Sequence, residues 1–274
     1  MTKLTRIGMY LFLICAVVVM IFPFYWMIIS STNPTVLVTQ GHMLPGDYLI
    51  KNWNSLLNQA DIFPAFWNSI KISVISTLLA VFVGSLAGYG FVVYRSKGKD
   101  VVFSIILLSM MIPFAAIMIP LFRMFGKLSE FVPIIGIDTS AAVILPSIAS
   151  AFLIFFFRQS TKMFPKELLE AGRIDGLNEF GIFARIYFPT MRSTFAAAAI
   201  ITFMSSWNNY MWPLVVLQSP KNMTLPLLIS SIGSAYFPDY AVMMLLIVLA
   251  TIPTGVIFFV MQKQFVQGMI GSVK

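Results

Sequence analysis

Long apolar stretches, separated by short polar segments, are the feature that most constrains how this chain can fold. A bilayer core about 30 Å thick is crossed by a helix of about 20 predominantly apolar residues. Backbone polar groups find no water in that core, so an apolar stretch of this length must be helical there. We therefore predict an all-α membrane protein with about six transmembrane helices. The predicted spans are, to within a few residues, 7–31, 67–94, 101–122, 139–157, 193–217 and 241–261.

The composition excludes an ordinary water-soluble fold. Hydrophobic residues make up 59% of the chain and charged residues 10%, whereas soluble domains contain about 45–50% and about 25%. The mean hydropathy is +0.89. A chain with so few polar residues cannot cover its apolar surface in water, so a lipid bilayer must surround most of it.

The net charge of +8 includes 18 Lys and Arg residues that are spread thinly between the apolar stretches. Sparse positive charge of this kind is typical of cytoplasmic loops in membrane proteins rather than of a nucleic-acid-binding face. We predict a cell-membrane protein with both termini cytoplasmic and no nucleic-acid partner, because this orientation places 13 of the 18 in the cytoplasm. The 13 are Lys3, Arg6, Arg95, Lys97, Lys99, Arg158, Lys162, Lys166, Arg173, Arg185, Arg192, Lys263 and Lys274.

Cysteine and histidine are too rare to build a metal site. The chain has one cysteine, Cys15, and one histidine, His42, so it offers no internal disulfide and no Cys/His cluster. We expect no metal ligands and no catalytic residues. The basic residues before the first apolar stretch would also suit a signal peptide. That stretch ends in Phe24-Tyr25-Trp26 rather than in small residues, so we interpret it as an uncleaved first span.

One long polar segment interrupts the apolar pattern and carries the most specific signals. It reads FPKELLEAGRIDGLNEFGIFARIYFPT over residues 164–190. Pro165 suits the start of a helix, Gly176 can adopt the positive φ that ends one, and Asn178 can cap a second. Two short helices that meet at a glycine turn are therefore expected, with the second reaching Pro189. An ordinary amphipathic loop at the membrane surface is the alternative that periodicity alone leaves open.

The residues of this segment resemble the EAA motif of ABC importer permeases. That motif reads E-A-A-x-x-x-G, then nine residues, then I-x-L-P. Glu170-Ala171 and Gly176 match its first part, and Ile186 and Pro189 match its second. Gly172 stands in place of the second alanine, and Phe188 in place of the leucine.

The resemblance extends over most of the chain and points to the carbohydrate branch of these permeases, most closely to the maltose-type second permease (MalG-like). The closing glycine-lysine-glycine pattern of that permease is altered here to Gly271-Ser272-Val273-Lys274. The matching motifs are Phe66-Trp67-Asn68-Ser69, Ala87-Gly88-Tyr89 with Arg95, Pro113 with Pro120, Trp207-Asn208-Asn209-Tyr210-x-Trp212-Pro213-Leu214 and Gln262-Lys263-x-Phe265-Val266-x-Gly268.

This resemblance implies a MetI-like permease fold in which the segment 164–190 forms a cytoplasmic coupling helix. In such permeases the coupling helix docks into a separate ATP-hydrolysing subunit, where Glu170 would pair with a basic residue while Asp175 and Gly176 hold the turn. The chain contains no G-x-x-x-x-G-K-[ST] motif, so it has no P-loop of its own. ATP and Mg²⁺ would be bound by the partner ATPase. The implied assembly has a homologous permease subunit, two ATP-binding cassette subunits and an extracytoplasmic solute-binding protein.

Trp207, Asn208, Asn209 and Tyr210 are the candidates for a substrate path, because polar side chains inside lipid usually join helices or line a path. Amides exchange hydrogen bonds with sugar hydroxyls, and aromatic rings can stack on apolar sugar faces. In an alternative interpretation, Tyr210 and Trp212 belong to the external aromatic belt, and the asparagines form hydrogen bonds with neighbouring helices. The sequence leaves both open.

The predicted function is therefore that of a permease subunit of an ABC importer for a carbohydrate, with no enzymatic activity of its own. The same machinery could instead carry glycerol phosphate, a polyamine or another small solute. An ion-coupled transporter would need carboxylates at mid-membrane, and a membrane enzyme would need clustered catalytic groups; the sequence places neither securely. The predicted organisation is a first span and external loop over residues 1–66, a permease core over 67–262 that contains segment 164–190, and a cytoplasmic tail over 263–274.

Overall fold

The computed structural model describes residues 3–94 and 96–270, with side chains described for residues 5–94 and 96–262. Over these residues every regular element is a helix. The predicted motif position Arg95 and the tail motif from Lys263 to Lys274 lie outside the described side chains. The helices are α1 (Lys3–Ser31), α2 (Thr35–Thr39), α3 (Leu49–Gln59), α4 (Ile62–Val93), α5 (Lys99–Ser109), α6 (Phe114–Phe131), α7 (Ser140–Ile148), α8 (Ala151–Lys162), α9 (Lys166–Ile174), α10 (Glu179–Ile182), α11 (Phe188–Thr190), α12 (Arg192–Trp207), α13 (Met211–Val216), α14 (Leu225–Gly233) and α15 (Tyr240–Ile270).

The described residues contain four helical stretches that are long and apolar enough to cross a membrane. The helices α5 and α6 add a fifth if they count as one span, although they are bent by 97°. This arrangement confirms the predicted all-α membrane fold. The four are Thr5–Ser31, Ile62–Val93, Ser140–Lys162 and Tyr240–Gln262.

The apolar stretch 193–217, predicted as one span, is instead broken into two helices. Helix α12 has 16 residues, which at 1.5 Å per residue covers about 24 Å and falls short of a bilayer core of about 30 Å. The chain leaves the helix at Asn208 and resumes as α13 at Met211. Hydropathy could not reveal the break because both pieces are apolar.

By contacts the chain divides into two compact units, and the first combines residues up to Phe63 with Leu227–Pro253. Buried asparagines organise the turn after α1. The Asn33 amide donates to the carbonyls of Ile29 and Leu44, each at 2.9 Å. Asp239 begins α15, since its carboxylate accepts from the backbone N–H of Val242 at 3.2 Å and from the Thr35 hydroxyl.

The second unit combines Pro64–Pro226 with the residues from Thr254 onward. Here α4 lies very close to α8, because glycines replace side chains at the crossing. A Cβ built on Gly84 would stand 2.7 Å from the Leu153 Cβ, and one on Gly88 would stand 2.5 Å from the Phe157 Cβ. Small residues permit this approach in lipid, where packing joins helices. The crossing fixes α4 against α8, which leads directly into segment 164–190.

An aromatic cluster in the same unit connects α4 and α8 to the end of that segment. The ring of Tyr187 lies 4.9 Å from the ring of Tyr89 and 5.3 Å from that of Phe164. Its hydroxyl lies 2.6 Å from the hydroxyl of Thr161, within the buried core. Aromatic pairs of this geometry add about 0.5–1.5 kcal/mol each beyond the area they bury. The cluster therefore anchors segment 164–190 to the helices above it.

Candidate functional site

Segment 164–190 folds as the two short helices that the sequence predicts. Helix α9 begins after Pro165 and ends at Ile174, with Asp175 as its C-cap. Gly176 then adopts a φ of 79°, a left-handed conformation that glycine reaches without steric cost. The Asn178 side chain accepts a hydrogen bond from the Gly181 N–H at 2.7 Å and caps the second helix. The turn and both caps are thus built from local sequence signals.

Gly172 and Ile186, which are far apart in the motif, meet in the structure. A Cβ on Gly172 would lie 2.5 Å from the Ile186 Cδ1, so the missing side chain leaves room for the isoleucine. Leu169 and Ile182 are buried beside this contact. The glycine that departs from the motif therefore lets the two helices of the segment pack closely. An alanine could be accommodated by a new rotamer, because the atom it meets is the flexible end of a side chain.

The second helix is less regular than predicted. It widens into a π-helical turn over Phe183–Tyr187 before it closes with α11. Pro189 lacks the N–H that a regular α-helix would donate to the Arg185 carbonyl, which accounts for the change in hydrogen bonding near this point. The widened turn buries the rings of Phe183 and Tyr187, and π turns of this kind are frequent at functional sites.

The tip of the segment is apolar and exposed. Ile174 is 86% exposed and Phe180 is 68% exposed, and they flank the glycine turn. The motif residues Glu170, Ala171 and Asp175 are exposed as well. Large apolar side chains that lie beside polar ones and lack cover within the chain mark a surface for another protein or for a membrane.

An ion pair that the sequence did not predict braces this tip. Arg173 donates from Nε to the Glu179 Oε1 at 2.9 Å, and the Tyr94 hydroxyl donates to the Glu179 Oε2 at 3.1 Å. The hydrogen bond from Arg173 is the main reason that the pKa of Glu179 lies below its usual value, and burial opposes it. Since Tyr94 directly follows α4, Glu179 joins the tip of the segment to the end of a long helix. The sequence signal for Glu179 was its position directly after the Asn178 cap, because acidic side chains are favourable at the first turn of a helix.

The structure separates the four candidates for the substrate path. Trp207 is buried, with its ring 5.7 Å from that of Phe203. Asn208 is exposed and donates back to the Met204 carbonyl of its own helix at 2.9 Å. Asn209 lines a cavity between helices, and Tyr210 is partly buried outside that lining.

Trp212 does not belong to an external aromatic belt. It is buried, and its indole N–H donates to the Ala142 carbonyl at 2.9 Å. Among the described residues no group of three or more His, Cys, Asp or Glu could hold a metal ion.

Comparison with known proteins places these features in a family context. Residues 80–271 match the family described as "binding-protein-dependent transport system inner membrane component". The lactose transport system permease protein LacG of Rhizobium radiobacter is 50% identical over 99% of this chain and 97% of its own length. The arabinooligosaccharides transport system permease protein AraQ of Bacillus subtilis is 37% identical over 98% of this chain and 96% of its own length.

A more distant relative and a solved structure extend this picture. The sn-glycerol-3-phosphate transport system permease protein UgpE of Escherichia coli K12 is 30% identical over 96% of this chain and 95% of its own length. A chain in the crystal structure of a bacterial ABC transporter involved in alginate import superposes with a TM-score of 0.82, at 22% identity, over 97% of this chain and 99% of that one. That structural likeness confirms the fold.

Proposed function

Because the chain belongs to the family of binding-protein-dependent transport system inner membrane components, we propose that it forms half of the translocation path of an ATP-driven importer for a carbohydrate. An extracytoplasmic binding protein delivers the sugar. The relatives named for lactose and for arabinooligosaccharides support this cargo. The relative named for sn-glycerol 3-phosphate is less similar and keeps glycerol phosphate as the second candidate.

In this proposal both termini and segment 164–190 lie in the cytoplasm. A homologous permease pairs with this chain, and two ATP-binding cassette subunits lie below the pair and bind ATP and Mg²⁺. The tip of the segment docks on one of these subunits through Ile174 and Phe180, and Glu170 meets a basic residue there. The exposed apolar tip, held in place by a rigid turn, is the observation that carries the docking role.

Coupling follows from how firmly the tip is held. The close contact of Gly172 with Ile186 makes the two short helices one body. The Glu179 carboxylate then links that body to the end of α4 through Tyr94. When ATP closes the partner subunits, a movement of the tip passes to the transmembrane helices. The chain supplies this mechanical connection and leaves the chemistry of ATP to its partner.

The docking role is tested by reversing charge at the tip in the complete importer. Glu170→Lys should abolish ATP hydrolysis stimulated by the binding protein and lower sugar uptake more than tenfold, a loss of about 1.4 kcal/mol or more. Gly176→Pro should act in the same way, because proline cannot adopt positive φ. Both variants should still insert in the membrane. Glu130→Lys makes the same charge change at an exposed position on α6 and should leave both activities intact.

Two measurements would count against the proposal. Normal stimulated ATP hydrolysis in Glu170→Lys would remove this residue from the docking surface. Cells that express the importer should accumulate radiolabelled lactose or arabinotriose only when this chain is present. Accumulation of sn-glycerol 3-phosphate alone would replace the carbohydrate with the second candidate.

A further inference from the structure

A cavity of about 380 Å³ opens between α4, α7, α8 and α12 in the second unit. Its size lies in the range of sites for small molecules, about 300–1,000 Å³. Ser76 lines the cavity and lies near the middle of the 32-residue helix α4. The cavity therefore lies at the depth of the membrane interior. The lining residues are Ser76, Val143, Pro146, Ser147, Ser150, Phe152, Leu153, Ile201, Thr202, Ser205, Ser206 and Asn209.

Two interruptions of helix, one of them inside a candidate membrane span, meet this cavity. Helix α7 ends at Ile148 and α8 begins at Ala151, so Ser150 lies in a gap within an otherwise continuous span. Helix α12 ends at Trp207, and Asn209 lies in the gap before α13. Non-helical backbone at membrane depth is tolerated where it is buried in protein or lines a water-filled cavity. Both gaps supply lining residues, which is the arrangement expected at a polar path.

The lining is polar without being charged. Hydroxyl groups come from five serines and one threonine, and an amide comes from Asn209. The described residues that line the cavity include no Asp, Glu, Lys or Arg. Val143, Leu153 and Ile201 add apolar surface, and Phe152 adds an aromatic ring. Hydroxyls and amides both donate and accept hydrogen bonds, while apolar groups suit the C–H faces of a sugar ring.

We propose that this cavity is a subsite on this chain for a neutral saccharide in transit, with the Asn209 amide and the Ser206 hydroxyl as contacts for sugar hydroxyls. The proposal rests on the function proposed above and adds the contact residues and the charge class of the cargo. An anionic solute is disfavoured because a charge taken from water into the membrane interior needs a paired charge, and the lining has none to offer.

Protection of a cysteine placed in the cavity tests the subsite directly. Ser206→Cys is made together with Cys15→Ala in the complete importer, and its reaction with N-ethylmaleimide is timed during ATP turnover with the binding protein. Lactose or arabinotriose, whichever the importer accumulates, should slow labelling at least threefold, and sn-glycerol 3-phosphate should not. Ser96→Cys lies at an exposed turn beyond α4 and is the control. Its labelling rate should be the same with and without each solute. Equal labelling of Ser206→Cys with and without the transported sugar would overturn the subsite.

Transport measured beside ATP hydrolysis separates this inference from the proposed function. Asn209→Ala should lower the sugar uptake rate about three- to tenfold, the loss expected for one hydrogen bond, while ATP hydrolysis stimulated by the binding protein stays within twofold. The loss should exceed that of Asn208→Ala, whose amide faces its own helix. Unchanged uptake in Asn209→Ala would overturn the subsite alone. An unmodified importer that neither takes up sugar nor hydrolyses ATP would overturn the proposed function and this inference with it.

Discussion

Trp212 donates its indole N–H to the carbonyl oxygen of Ala142 at 2.9 Å, and that carbonyl is the one that Pro146 leaves without a partner in its own helix. A proline at position i cannot donate to the carbonyl at i−4. The Trp212 side chain of α13 thus supplies the hydrogen bond that Pro146 cannot donate within α7. It does so beside the cavity, to which Pro146 itself contributes.

Removal of that donor should destabilise the protein. Trp212→Phe keeps an aromatic ring but leaves the buried Ala142 carbonyl unpaired, at a cost of about 1–3 kcal/mol. The thermal unfolding midpoint of the purified protein in detergent measures the loss. Trp67→Phe removes an indole N–H from a side chain that is 63% exposed and should change stability by less than about 0.5 kcal/mol. Equal midpoints for the two variants would contradict a role for the Trp212 bond.

The close crossing of α4 and α8 predicts opposite effects at two neighbouring glycines. Gly88→Ala should destabilise by about 1–3 kcal/mol, because its Cβ would lie 2.5 Å from the Phe157 Cβ and 2.7 Å from the Arg158 backbone nitrogen. At Gly90 the nearest atom would be 3.9 Å away, so Gly90→Ala should be neutral or stabilising by up to about 1 kcal/mol. Thermal unfolding in detergent and the yield of folded protein should rank the variants in this order. A more stable Gly88→Ala would mean that the helices are free to separate.

The ion pair at the tip of segment 164–190 predicts a pH-dependent contribution. The hydrogen bond from Arg173 lowers the pKa of Glu179, so its stabilisation is complete above the unfolded value of about 4.3 and is lost as the pH falls through the lower folded value. The contribution is below about 1 kcal/mol because both side chains are partly exposed. The difference in unfolding midpoint between wild type and Glu179→Gln should be larger at pH 6 than below pH 4. A constant difference would show that the charge of Glu179 is irrelevant.

Substitution of Asp138, which lies in a loop, should destabilise the protein strongly. It adopts a φ of 63° and accepts hydrogen bonds from the backbone N–H groups of Gln218 and Ser219 at 2.8 and 2.9 Å. Asp138→Ala removes Oδ1, the one oxygen that accepts both of these hydrogen bonds, and should cost about 1–3 kcal/mol. Asp138→Asn keeps one oxygen and tolerates positive φ, so it should lose clearly less. Proteolysis between residues 216 and 224 measures the loosening, and equal cleavage of the two variants would contradict the clamp.

Sequence patterns predicted those structural features that depend only on residues close together in the chain. The turn at Gly176 and the cap at Asn178 each follow from one residue type in a local pattern. The long apolar stretches likewise predicted the helical membrane fold. The broken stretch at Asn208 escaped prediction, because hydropathy is an average that ignores where backbone hydrogen bonds are made.

Long-range partners also escaped prediction. Nothing near Trp212 in the sequence identifies the Ala142 carbonyl as its acceptor, and nothing near Glu179 identifies Tyr94. Asn208 and Asn209 have identical side chains, yet one faces its own helix and the other lines a cavity. Such differences arise only when the helices pack, so the tertiary fold decides which polar residue can act.

The uncovered Ile174 and Phe180 carry a consequence for biogenesis. In the proposed importer, a permease subunit that is synthesised before its ATP-binding cassette partner presents these two large apolar side chains to the cytosol at the end of a rigid projection. Such a surface invites self-association and degradation, so orphan copies should be short-lived. We therefore expect the abundance of this chain in the cell to be set by the supply of the subunit that covers them.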